Sequence, residues 1–206
     1  MTTASGGGDP PYIVDSSLPA DADALIFSTV QEAVDAMDAA GEQGRTILIR
    51  EGAENGVYHG DVEIYVNNLR IVNDAGVKIT LVGSVTVDDS MTVAIQGDVA
   101  ENFVIEGNAG SPAIYFAGLN NDTVIDRVTI TAPGGSPAIR FNNDQSNVAI
   151  TDSSLQGGGV IDAVIEIAPA GSVTGFTITG NDLAILNGGG IDSAATDSVV
   201  SGNTFS

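Results

Sequence analysis

The sequence predicts a parallel β-solenoid, an all-β fold in which each internal repeat forms one coil. The heptapeptide GSPAIYF (110–116) recurs as GSPAIRF (135–141), which indicates a repeat of 25 residues. The apolar anchors of this series follow one another at 25, 26 and 26 residues, at Ile114, Ile139, Ile165 and Ile191. A second series has spacings of 25, 28 and 22 residues, at Ile130, Leu155, Leu183 and Phe205. Short period-two strands lie between Gly-, Asn- and Asp-rich turns, so we expect coils stacked by parallel pairing at ~4.8 Å.

Two elements precede the repeats, an extended segment and a single helix. Residues 1–26 are rich in Pro and Asp and are expected to form an extended lead-in that serves as a docking segment, with its Gly-rich start held by a larger assembly. The next segment predicts a helix over 29–40, with Ser28 as its N-cap, Gln31 completing a capping box and Gly41 ending it. Its apolar stripe is expected to cover the first coil and consists of Val30, Ala33, Val34, Met37 and Ala40.

Composition excludes several classes of function. The 206 residues include 27 acidic and 6 basic ones, for a formal net charge of −21, and such a field repels nucleic acid and anionic membranes. Lys78 is the only lysine, and an acidic, lysine-poor chain resembles proteins of extreme halophiles, in which salt screens the repulsion. The lack of Cys excludes disulfides and thiolate metal sites, and no apolar run reaches the ~18 residues of a membrane span. The N-terminal residues lack the basic and apolar regions of a secretory signal, so we expect no export by that route.

A longer stretch resembles a known group of proteins. Residues 27–80 carry FSTVQEAVDAMDAAG, TILIREG and NLRIVNDAG, which are similar to the opening of pectin-lyase-like proteins, and FTITGNDL and SVVSGNTF resemble the coil repeat of that superfamily. The resemblance implies a right-handed parallel β-helix of about five or six coils, in one domain over 27–206, with the helix as its N-terminal cap. It implies little about activity, because this fold carries lyases, hydrolases, esterases, phage tailspikes and structural modules.

The catalytic signatures of these enzymes are missing from the sequence. Segments of the types WIDH, NTDG and GDVDFIFG do not occur, and no nucleophile and base lie at a recognisable spacing. The sequence therefore predicts no catalytic residue, and a non-enzymatic protein is the favoured interpretation.

The repeats instead predict columns of outward-facing side chains. The residues that follow the first anchors should form one column on successive coils, namely Tyr115, Arg140, Glu166 and Asp192. Arg127 and Asp152 occupy equivalent places in the second series, so each column sets an Arg beside an acid on the adjoining coil. Two interpretations stay open: surface ion pairs worth ~0–1 kcal/mol, or a glycan-binding strip with the tyrosine as platform.

Two further kinds of site follow from short patterns. Asn121 begins an Asn-Asp-Thr triplet, which is the acceptor pattern for N-glycosylation. No metal site and no cofactor are predicted, although oxygen-rich Asp and Asn turns leave weak Ca²⁺ or Na⁺ binding open.

These observations lead to an expected function and to expected partners. We expect a non-enzymatic virion structural protein of a virus of halophilic archaea, as a capsid decoration or turret or as a tail spike or fibre, in a high-salt extracellular setting. Expected partners are other virion proteins and a host-surface glycan or glycoprotein. The alternatives are a carbohydrate-active lyase or hydrolase on acidic or surface glycans, and a cell-surface adhesin module.

The last coil predicts self-association. The segment 198–206 resembles a coil with no cap after it, so its backbone edge would be open. We therefore expect a homo-oligomer in which another subunit covers this edge, with a trimer as the first candidate by analogy with viral spikes.

Overall fold

The computed structural model describes residues 9–88, 92–157, 163–167, 173–185, 195–196 and 199–205. Over these residues the chain is an all-β parallel solenoid of about five turns, which confirms the predicted fold class. Apolar side chains alternate inward along the strands and fill the interior, while the intervening residues face outward.

The strands are numbered along the chain, and over the described residues they form four sheets. Sheet 1 contains, in spatial order, β2 (Ile26–Phe27), β1 (Tyr12–Val14), β3 (Thr46–Ile49), β6 (Leu69–Asn73), β9 (Val93–Gln96), β13 (Val124–Asp126), β17 (Ala149–Thr151), β21 (Thr177–Thr179) and β24 (Val199–Ser201). Sheet 2 contains β4 (Val57–His59), β7 (Ile79–Val82), β10 (Phe103–Glu106), β14 (Thr129–Thr131), β18 (Ser154–Gly157), β22 (Asp182–Ile185) and β25 (Thr204–Phe205). Sheet 3 contains β5 (Val62–Ile64), β8 (Val85–Val87), β11 (Ile114–Phe116), β15 (Ile139–Phe141) and β19 (Ile165–Ile167). Sheet 4 contains β12 (Asn120–Asn121), β16 (Gln145–Ser146), β20 (Val173–Thr174) and β23 (Ala195–Thr196).

The helix α1 (Val30–Ala40) caps the first coil, and its N-cap lies one residue later than predicted. Thr29, not Ser28, is the N-cap, because its side chain accepts a hydrogen bond from the Glu32 N–H and the Glu32 carboxylate accepts from the Thr29 N–H. With Thr29 as the N-cap, Glu32 occupies the capping-box position, and the Gln31 side chain instead bonds to the backbone of Glu63. Gly41 ends the helix in the left-handed conformation, as predicted. Among the described residues, no helix is both long and apolar enough to cross a lipid bilayer.

The extended segment before α1 contributes a strand to the solenoid. Strand β1 pairs with β3, and Tyr12 is held by its hydroxyl, which donates to the Glu42 carboxylate at 2.9 Å. The Arg45 guanidinium lies 5.2 Å from the centre of the Tyr12 ring and donates to the Pro10 carbonyl. The predicted docking of the Gly-rich start concerns residues 1–8, which lie outside the described residues.

The registers of both repeat series are confirmed. Ile114 pairs with Ile139 and Ile139 with Ile165, while the fourth anchor, Ile191, lies outside the described residues. The second series pairs in the predicted order of Ile130, Leu155, Leu183 and Phe205. Aromatic rings reinforce this stacking: Phe116 and Phe141 are stacked with centroids 4.8 Å apart, and Phe176 meets Phe141 edge-on at 5.7 Å.

The corner between sheets 1 and 2 carries a buried polar ladder. The Ser153 N–H donates to Asn181 Oδ1 at 2.9 Å, and Asn181 Nδ2 donates to the Ile150 carbonyl at 2.9 Å. Asn203 Oδ1 on the next coil accepts from the Asn181 N–H at 2.9 Å. Backbone groups at the corner have no partner in either sheet, and the asparagine side chains supply the missing hydrogen bonds.

Asp98 stabilises the corresponding corner of an earlier coil. Its carboxylate accepts hydrogen bonds from Asn73 Nδ2 at 2.8 Å, from the Gly76 N–H at 2.6 Å, from the Val99 N–H and from Asn102 Nδ2. These hydrogen bonds, with that from Asn73 the largest contribution, hold the pKa of Asp98 well below its usual range.

Asp98→Asn is expected to lower the free energy of unfolding by about 1–2 kcal/mol at neutral pH, because two backbone donors lose a charged acceptor. The folded-state pKa is depressed, so the carboxylate's contribution is present above the ordinary carboxyl pKa of about 3.9 and is lost as the pH falls below it. Urea unfolding of both proteins at pH ~7 and pH ~3 should therefore show a smaller difference at the lower pH. An equal difference at both values would contradict this role.

Thr123 is fully buried, and its hydroxyl oxygen has no hydrogen-bond partner in the described structure. Thr123→Val is expected to raise the free energy of unfolding by about 1 kcal/mol, because it removes an unsatisfied hydroxyl at nearly constant volume. Thr129→Val is the matched control and should destabilise, since the Thr129 hydroxyl donates to the Ala100 carbonyl at 2.9 Å. Urea unfolding measures both changes, and a loss of stability on Thr123→Val would contradict the expectation.

The last described coil exposes apolar side chains. Val199, Val200 and Phe205 are 54%, 50% and 54% exposed on β24 and β25, at the ends of sheets 1 and 2. Coverage of this edge by another subunit, and the trimer in particular, stay predictions.

Candidate functional site

The outer face of sheet 3 carries one continuous column of side chains. Pairing of the strands places Glu63, Thr86, Tyr115, Arg140 and Glu166 next to one another on successive coils. They face outward because the flanking residues on each strand are apolar and point into the core, as at Ile114 and Phe116.

Three of the four residues predicted for this column are confirmed in it. Tyr115 pairs with Arg140, and Arg140 pairs with Glu166. Asp192, the fourth, lies outside the described residues. The column also extends toward α1 through Thr86 and Glu63, which the sequence analysis did not identify.

An open groove of about 500 Å³ follows this column. Its lining combines the tyrosine ring with hydroxyl, amide and charged groups, contributed by Asp61, Ser84, Thr86, Asn108, Ser111, Pro112, Tyr115 and Arg140. A cleft of this size with a few converging polar groups is the usual form of a small-ligand site.

The two charged residues at one end of the column form an ion pair. Arg140 Nε lies 3.7 Å from Glu166 Oε2, and the two side chains are 38% and 17% exposed. Within the described structure both atoms are shielded from solvent and neither makes a hydrogen bond. The attraction between them is therefore electrostatic and is not fixed by hydrogen-bond geometry.

The other end of the groove is held by a hydrogen-bonded carboxylate. Asp61 Oδ1 accepts from the Ser84 N–H at 2.8 Å and from Asn108 Nδ2 at 2.7 Å. These contacts connect three successive coils and orient the amide of Asn108 along the groove wall. The hydrogen bonds of Asp61 thus hold this wall of the groove in place.

Sequence reasoning missed this wall because its residues come from coils outside the regular 25-residue repeats. One signal was available: GDVEI (60–64) and GSVTV (83–87) share the pattern Gly-x-Val-x-apolar, and the structure pairs Val62 with Val85. Aligning these segments would have placed Glu63 beside Thr86 and Asp61 beside Ser84.

The second predicted column is confirmed in its register, since Arg127 and Asp152 are equivalent corner residues on adjacent coils and both are in the left-handed conformation. Of its two interpretations, the ion pair between these two residues is not formed. Arg127 Nε instead lies 2.9 Å from Asp126 Oδ2, and its Nη1 donates to the Asp98 carbonyl at 3.0 Å. The carboxylate of its own strand end is nearer to the guanidinium than that of the next coil. These residues lie at the corner of sheets 1 and 2, away from the groove, and their glycan binding stays a prediction.

The proposed glycosylation acceptor lies on sheet 4. Asn121 is exposed, and its Oδ1 accepts from the Ser146 hydroxyl on the next coil. Its modification stays a prediction. Among the described residues, no three His, Asp or Glu side chains come together in a group that could hold a metal ion.

No protein-family model, no curated protein and no solved structure matches this chain.

Proposed function

We propose that this chain is a non-enzymatic structural protein of a virion surface and that the groove on sheet 3 holds a host-surface glycan. The observation that carries the proposal is the groove itself, in which the Tyr115 ring lies beside Arg140 and a row of hydroxyl and amide groups.

The chemistry of the groove suits a sugar chain. A pyranose presents an apolar face of C–H groups, which packs on an aromatic ring, and a rim of hydroxyls that both donate and accept hydrogen bonds. Tyr115 offers the ring, Arg140 and Asn108 offer N–H donors, and Asp61 offers a carboxylate acceptor. The elongated column would place these groups along one edge of a bound oligosaccharide.

The setting on a virion of a halophilic archaeal virus is supported by charge and by fold. A net charge of −21 favours a salt-rich surrounding, since screening there removes the self-repulsion of the folded chain. A solenoid is a rigid rod that can project from a larger particle, as a capsid decoration or a tail spike. The likeness to pectin-lyase-like β-helices belongs to this proposal, and so does assembly as a homo-oligomer with other virion proteins.

Binding of oligosaccharides in ~2 M KCl tests the groove. Tyr115→Ala and Arg140→Ala are each expected to weaken binding by about tenfold or more, because each removes a group that a bound sugar would contact. Arg140→Ala should also lower stability, because it leaves the largely shielded Glu166 carboxylate without its cation, so binding is measured at a temperature at which this variant is fully folded.

Arg70→Ala is the matched control. Arg70 is exposed on sheet 1, where its Nε donates to Gln96 Oε1 at 2.7 Å, so its loss should leave glycan binding unchanged. Equal binding by wild type and both groove variants would contradict the glycan site. Steady release of reducing ends or unsaturated products would contradict a non-enzymatic protein and favour a lyase or hydrolase.

The location is tested on particles. Electron microscopy of virions from the source, labelled with antibody against this chain, should show label on the particle surface. Unlabelled particles, with labelled host envelopes, would favour the adhesin alternative.

A further inference from the structure

We infer that the groove on sheet 3 selects uncharged oligosaccharides over anionic ones. The inference rests on the proposed function, since it names the class of glycan that the groove would accept.

Carboxylates outnumber cations in and around the groove. Arg140 is the cationic residue of the lining, and Glu166 lies 3.7 Å from it. Asp61 lines the same groove from the opposite end, and the exposed Glu63 continues the column beyond Thr86. A ligand carboxylate or sulfate would therefore approach one guanidinium and at least two carboxylates.

An anion could bind Arg140 only by competing with Glu166. The Glu166 side chain is 17% exposed, so drawing the guanidinium away would leave a largely shielded carboxylate without its cation. An uncharged hydroxyl has no such cost, because it can accept from Arg140 while the ion pair stays in place.

The other arginines do not supply a second cation to the groove. Arg45 is held by Glu42 and the Pro10 carbonyl, Arg70 lies on sheet 1, and Arg127 is held by Asp126. Arg50 follows β3 of sheet 1 and Lys78 precedes β7 of sheet 2, and neither lines the groove. Anion binding would thus depend on Arg140 alone, within the long-range field of a chain with a net charge of −21.

Calorimetric titration with neutral glucose or mannose oligomers, and with uronate oligomers of equal length, tests this inference. We expect the uronate oligomers to bind at least about tenfold more weakly in both ~0.15 M and ~2 M KCl, because the local carboxylates act even where long-range charge is screened. The neutral oligomers should change affinity by less than about threefold between the two salt concentrations.

Glu166→Gln separates the local effect from total charge. It should raise the affinity for uronate oligomers about tenfold and leave that for neutral ones nearly unchanged, since it releases Arg140 from its carboxylate. Glu106→Gln is the matched control, because Glu106 is exposed on sheet 2 and its loss changes the net charge equally.

The outcomes distinguish this inference from the proposed function. Tighter binding of uronate than of neutral oligomers, or equal effects of the two Glu→Gln variants, would overturn the selectivity and leave a glycan site in place. Binding of neither class would overturn the proposed glycan site itself.

Discussion

Replacing Asn181 with alanine is expected to lower the free energy of unfolding by about 3 kcal/mol, because the substitution leaves buried backbone groups without partners. Asn181 is 1% exposed, and its side chain serves the Ser153 N–H on one coil and the Ile150 carbonyl near the same corner. Water cannot replace these hydrogen bonds without opening the corner between sheets 1 and 2. Chemical unfolding in concentrated KCl would measure the change.

Asn121→Ala is the matched control for this prediction. Asn121 is exposed on sheet 4 and its Oδ1 contacts only the Ser146 hydroxyl among the hydrogen bonds described here, so the change should stay within about 0.5 kcal/mol. A loss below about 1 kcal/mol for Asn181→Ala would show that the corner relaxes and that the ladder is not a main support of the last coils.

Salt is expected to raise the melting temperature by about 10 °C or more between ~0.1 M and ~2 M KCl. The cause is the excess of 27 acidic over 6 basic residues. Three of the basic side chains already form ion pairs, Arg45 with Glu42, Arg127 with Asp126 and Arg140 with Glu166. The screening length falls from about 10 Å to about 3 Å between 0.1 M and 1 M salt, which removes most of the repulsion between exposed carboxylates.

A neutralised variant distinguishes screening from a general effect of salt on apolar burial. Glu101→Gln, Glu106→Gln and Asp182→Asn combined remove three exposed negative charges. This variant should melt at a higher temperature than wild type in ~0.1 M KCl and at nearly the same temperature in ~2 M KCl. A melting temperature of the wild type that does not depend on salt would contradict the halophilic interpretation.

The sequence alone determined the fold class and the register of the regular coils. An apolar anchor recurring every 25 or so residues leaves parallel stacking as the arrangement that buries Ile114, Ile139 and Ile165 together, and a shift by one residue would turn each of them outward. The same register placed Tyr115, Arg140 and Glu166 in one column, since neighbours of an anchor share its coil position. Four residues of the predicted α1 stripe, Val30, Ala33, Val34 and Met37, are buried as helical periodicity predicts, whereas the fifth, Ala40 in the last turn, is exposed.

Local competition among polar groups was decided by the tertiary structure. With Thr29 as the N-cap, Glu32 rather than Gln31 completes the capping box, and Gln31 contacts Glu63 on a distant strand. Arg127 is equivalent to Asp152 on the next coil, yet its guanidinium pairs with Asp126 of its own strand. Sequence spacing does not resolve such choices, because they depend on distances of a few ångströms.

The groove also depended on the tertiary structure. Asp61, Ser84 and Asn108 follow one another at 23 and 24 residues, but no motif is shared by all three segments, and they precede the recurring heptapeptides that define the 25-residue series. They meet because each coil returns to sheet 3 whatever the length of its turns, and parallel pairing then aligns their strands at a common spacing. Regular repetition thus determined the core and one column of the site, whereas the irregular turns that complete the site acquired their positions only when the coils stacked.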